Sequence, residues 1–161
     1  MTATVQIIEK NGAGGTPTDK TSGTIRHKNA DDSTVDTNNP MVKGAVSDWS
    51  WEKWLRMNVS GGSYTQITNI RAYTDGTNGW TDTRLWWKSI ASYATPAQGT
   101  GSSGYTNAFT YTSAAPLTIG TGTYTSTGEK GDHLVSLLEV GTGAVGGMLA
   151  AETLTLAWDE I

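Results

Sequence analysis

With 161 residues the chain suits one domain whose core needs no cross-links, and with no cysteine it has no disulfide, thiolate metal site or cysteine nucleophile. Charged residues make up only 16% of it, 20 residues are Gly and the good helix formers are scarce, which excludes a helical bundle and indicates a soluble, Gly/Thr-rich β protein. A net charge of −4 with dispersed Lys and Arg excludes nucleic-acid binding by phosphate neutralisation, which needs a basic patch.

From the N-terminus, residues 5–8 (Val-Gln-Ile-Ile) read as a first strand and the Gly-rich run 11–15 as a turn. Residues 23–28 read as a second short strand, and 29–40, rich in Asn, Asp, Ser and Thr, as an exposed loop or an arm that orders against a partner. In residues 49–59, Trp49, Trp51, Leu55, Met57 and Val59 share one face at a period of two; Lys53 and Trp54 break it, as at a bulge. Residues 64–74, 84–93, 105–111, 117–119, 133–140 and 149–158 supply further strands. The 133–140 run alternates little, so both its faces are expected to be covered.

About eight strands at a spacing of roughly 8–12 residues predict an antiparallel β-sandwich, jelly-roll-like, with negligible helix. Residues 1–44 are expected to form an N-terminal strand or arm with a polar loop, and residues 45–161 the sandwich. No apolar run approaches the ~20 residues that cross a bilayer, and the first residues lack a secretory signal's pattern. The expectation is therefore no membrane partner and synthesis in a cytoplasm.

Motifs that carry chemistry are few. The glycines of 141–147 lack a Walker lysine and join two strands, so they read as loop glycines rather than a phosphate cradle. His27 and His133 lie far apart with no third ligand, and read as structural. The acidic run 31–39 offers oxygens for a cation but departs from the calcium-loop pattern, and the solvated-loop reading is preferred. No catalytic residue, cofactor or metal is assigned, and the chain is read as non-enzymatic.

Two compositional outliers point to contact instead. There are 7 tryptophans, of which Trp54 and Trp86 fall opposite their strands' apolar sets, as on an exposed aromatic surface for a protein partner or a sugar. Residues 89–128 contain no Asp, Glu, Lys or Arg, and interface cores are depleted of charge in this way. Trp54, Trp86, Tyr105, Phe109, Tyr111 and Tyr124 are the interface candidates.

Several segments resemble the small structural proteins of tailed bacteriophages. They are Ser50-Trp51-Glu52-Lys53-Trp54-Leu55-Arg56-Met57-Asn58-Val59-Ser60-Gly61-Gly62, Ile67-Thr68-Asn69-Ile70-Arg71-Ala72-Tyr73-Thr74-Asp75-Gly76, Gly131-Asp132-His133-Leu134, and the run from Ala151 to the terminal Trp158-Asp159-Glu160-Ile161. The nearest kind is the auxiliary, or decoration, protein that coats a capsid. The resemblance implies an all-β domain on the virion surface that associates with itself, as a trimer, and clamps the major capsid protein. A tail-associated virion protein and a carbohydrate-binding β-sandwich module with Trp54 and Trp86 as its platform are the alternatives.

Overall fold

In the computed structural model, which describes residues 2–161, the apolar stretch around 133–140 becomes the spine of a large sheet. The strands are β1 (Ala3–Asn11), β2 (Thr16–Asp19), β3 (Asp48–Trp49), β4 (Lys53–Gly62), β5 (Ile67–Tyr73), β6 (Thr83–Ile90), β7 (Thr106–Asn107), β8 (Leu117–Gly120), β9 (Gly128–Val140) and β10 (Thr155–Glu160). A single 3-10 turn, Ala108–Thr110, is the one helical piece among the described residues. Seven strands pair antiparallel in the order β2-β1-β4-β9-β6-β7, with β3 continuing the line of β4 along β9. Three more form a second sheet, β10-β5-β8. The chain is thus an all-β sandwich of unequal sheets, as its composition and periodicity predict.

The core lies where the small sheet covers the large one. Leu55, Met57 and Val59 of β4 and Leu134 of β9 meet Ile67, Ile70 and Ala72 of β5 and Ile119 of β8. Met57, Val59, Ile67 and Ile70 have no exposed surface, and each such side chain contributes about 1.5–3 kcal/mol of transfer free energy. The sheets touch closely at Gly131, whose φ is 71°. A Cβ there would stand 2.5 Å from the Ile119 carbonyl oxygen, so only glycine fits.

Residues 133–139 are all buried, and the alternation of β9 shows how. Leu134, Ser136 and Leu138 face inward, while His133, Val135, Leu137 and Glu139 face the opposite side. That outer side is roofed by residues 91–105. Gly99 donates to the Ser50 carbonyl and Glu52 to that of Ala97, and a Cβ on Gly99 would lie 2.7 Å from Leu137 Cδ1. Part of the charge-free segment therefore has an internal use: a neutral roof desolvates no charge when it closes on a sheet.

Three expectations need correction. Residues 23–28 form no strand; β2 is Thr16–Asp19, paired with β1. The 49–59 strand is interrupted at 50–52, where the buried Ser50 hydroxyl accepts the Leu138 amide hydrogen at 3.0 Å. Trp49 and Trp51 are consequently half-buried rather than core. Most importantly, the N-terminus is no arm. β1 pairs with β4 from Ala3↔Gly62 to Lys10↔Trp54, and places Glu9, fully buried, 3.0 Å from the equally buried Lys53 ammonium. Neither charge is tolerable alone in that setting, so residues 1–44 and 45–161 share one core.

Candidate functional site

None of the six aromatic interface candidates is exposed. Trp54 is 3% exposed, its ring edge-on to Tyr93 at 5.3 Å and to His133 at 5.5 Å. Trp86 is half-buried and donates its indole hydrogen to Glu139 at 3.0 Å. Phe109 is buried against Trp80, Tyr111 stacks on Trp87, and Tyr124 pairs with Ile67 and packs on the core. The Tyr105 hydroxyl donates to Glu52, and Lys88 Nζ sits 4.1 Å from its ring centroid. For Trp54 and Trp86, which lie on strands of the large sheet, the reason is shared. A sheet whose two faces are both covered buries the side chains that a two-residue period assigns to water.

Glu52 also accepts from Lys88 Nζ at 3.0 Å and Trp54 Nε1 at 2.9 Å. Burial opposes its ionisation, but these donors outweigh burial and hold its carboxyl below the usual range. With every oxygen engaged, this cluster is a structural knot.

The acidic run 31–39 is likewise occupied from within. Lys28, 1% exposed, points its ammonium at Asp32 Oδ1 (2.8 Å) and Asp36 Oδ1 (3.0 Å). Burial lowers its affinity for a proton, and the two carboxylates more than restore it. Lys20 and Lys53 donate to the Ser33 and Asp32 carbonyls, both at 2.5 Å. Three lysines thus strap the loop to the sheet and take the place a cation would have taken. Among the described residues no group of three or more His, Asp or Glu can hold a metal ion.

His27 Nε2 lies 2.9 Å from Ser136 Oγ, which also accepts from Trp87 Nε1 at 3.1 Å. The pair has the reach of a base and a nucleophile. However, Ser136 sits mid-strand with Lys53 opposite on one side and Trp87 on the other. Burial and then the Lys53 charge pull the imidazole down to about 3, so it stays neutral and links three elements.

A cleft of about 670 Å³ is lined by residues of β4, β6 and β9 and by loop residues around them. Its floor is apolar, with Leu55, Leu85, Trp87, Leu138 and Val140. Its walls are three loops, 20–27, 40–43 and 144–154. On these loops Val42, Val145 and Met148 are 60%, 69% and 84% exposed, and Val46, just beyond the second loop, is 75% exposed. Arg26 and Lys43 stand at the mouth.

No family model, curated protein or solved structure matches the chain. What the cleft does is therefore read from its own chemistry. Its apolar lining, edged by hydroxyls and the cations of Arg26 and Lys43, suits noncovalent contact. Sequence reasoning missed it because its walls come from loops far apart in the chain. The one available signal was Val42, Val46, Val145 and Met148, large apolar residues standing in otherwise loop-like text.

Proposed function

We propose that this chain is a non-enzymatic structural protein of a tailed-phage virion, of the capsid-decoration kind, that holds neighbouring subunits through contact area. The observation that carries the reading is the charge-free segment 89–128. Twenty of its forty residues are exposed, so a broad part of the surface carries hydroxyls and small apolar groups without one formal charge. Such a surface can be covered by a neighbour at little desolvation cost. The strand segments that resemble phage structural proteins support the same reading. Binding the assembled shell and not its separated parts would stabilise the shell by mass action. The sugar-binding alternative has lost its platform, because Trp54 is buried and the Trp86 indole is committed to Glu139.

Sedimentation velocity tests the self-association that the reading requires. Thr118 and Thr125 are exposed within the segment, whereas the Tyr105 and Thr110 hydroxyls are already engaged. The wild type is expected to sediment as a multiple of its 17.1 kDa mass, with a trimer favoured. Thr118→Glu with Thr125→Glu should shift it toward monomer at an unchanged melting temperature. A wild type that is monomeric at every concentration and binds glycans would overturn the proposal in favour of a carbohydrate module.

A further inference from the structure

The cleft has a charge pattern that its apolar lining does not explain. Of the 11 Lys and Arg side chains, Lys10, Lys20, Lys28, Lys53, Arg56, Arg71, Arg84 and Lys88 each have a carboxylate partner. Arg26, Lys43 and Lys130 have none among the described residues, and the first two both line the cleft. Arg26 Nη1 donates to the Met148 sulfur at 3.9 Å, a weak acceptor for a guanidinium. The cleft's one acidic side chain, Glu152, accepts instead from the Gly79 amide at 3.0 Å. In a chain with net charge −4, acids are plentiful, yet the two cations at this mouth are left without one.

The apolar surface also overruns the cleft. Val145 and Met148 are exposed members of its lining, and Val42 and Val46 are exposed in the stretch that supplies Met41 and Lys43 to it. A small molecule seated on the floor would leave these four side chains in water. An occupant that buries them must extend from the floor across both loops, which a polypeptide does.

We propose that this cleft is a docking site for an acidic, apolar segment of a partner polypeptide, its apolar side chains on the partly exposed Ile25, Met41 and Leu149 of the lining and its carboxylates on Arg26 and Lys43. Complementary charge at the rim selects the partner and its orientation, and the desolvated apolar floor supplies affinity. Which protein carries the segment rests on the assembly reading above. The binding itself does not.

The test uses the full chain and a labelled, acetylated decapeptide of alternating leucine and glutamate, against a counterpart with lysine in place of glutamate. Fluorescence anisotropy is expected to show the acidic peptide binding at least tenfold more tightly. Arg26→Glu with Lys43→Glu should invert that order, and Val145→Asp with Met148→Asp should weaken both peptides. If the double reversal melts early, Lys43→Glu alone, on an exposed side chain, is expected to erase most of the preference. Equal affinity for the two peptides, or no binding of the acidic one at about 1 mM, would overturn the proposal. So would saturation of the cleft by dodecanoate that the acidic peptide cannot displace, which would make it an amphiphile pocket. Peptide binding in a chain that never self-associates would sink the decoration reading and leave this one standing.

Discussion

Trp54 shows what a single side chain does here. It lies on the outer face of β4, yet Tyr93 and His133 close over it and Glu52 takes its indole hydrogen. Truncating it to Ala should cost about 3–5 kcal/mol, the range for a buried large aromatic. Trp51, half-buried beside Gln98, should cost only roughly 1–2 kcal/mol; chemical denaturation of both variants ranks them. A second residue-scale expectation concerns acid. His27 is drawn down to about 3 by burial and then Lys53, and His133 is lowered by burial, then Arg56 and Lys10. Both ring nitrogens of His133 are buried with no hydrogen-bond partner among the described residues. Each histidine binds its proton more weakly folded than unfolded, so its share of stability is complete above the ordinary histidine value, about 6.5. That share is lost as pH falls from there toward the folded value. His27 alone should remove about 2 kcal/mol by about pH 5, and His27→Gln should flatten that limb of a stability-versus-pH curve. Asp36, lowered by Lys28, and Asp159, lowered by Asn69 and then Arg71, act in a separate window, below about pH 4. Little of this was legible in the sequence. Periodicity reports which face a side chain occupies, and not whether a distant loop lies over that face.

At the scale of elements, the sequence was most informative where strands are strongly patterned. The strand character of β1, β4, β5, β6 and β9 follows from two-residue alternation or from a continuous apolar run, and the covered double face of β9 was readable in its lack of alternation. Pairing was not readable. Nothing in Val5-Gln6-Ile7-Ile8 announces that β1 runs against β4, or that Glu9 is the counter-ion of a lysine 44 positions on. The Asn/Asp-rich run 29–39 looked like an unpacked loop because its partners, Lys20, Lys28 and Lys53, are scattered through the chain. A deletion tests the consequence. Removing residues 1–44 strips β4 of its neighbour and takes away both Glu9 and the Asp32 carbonyl that hold the Lys53 ammonium, so one edge of the shared core opens to water. The truncated chain should show no cooperative thermal melt by circular dichroism. A melt within a few degrees of the intact chain would mean that β1 is dispensable. Removing residues 149–161 should also unfold the protein, because β10 covers the core with Leu156 and Trp158.

Over the whole molecule, charge is spent inside and at the strapped N-terminal half, while residues 89–128 leave a neutral exterior. That division was visible in the sequence as forty residues without a charge. Its double use, part as a roof over β9 and part as free surface, was not, because composition does not say which side of a sheet a loop crosses. The role proposed for the chain is contact with neighbours on a virion, and purified particles are where that proposal is tested. Immunogold electron microscopy, with antibody against the folded chain applied to density-purified virions, measures this directly. Label distributed over the capsid surface is the expected result, and loss of that label for particles grown with Thr118→Glu and Thr125→Glu would tie it to the neutral face. Particles free of label, with the protein confined to the soluble fraction of the lysate, would contradict a virion role outright.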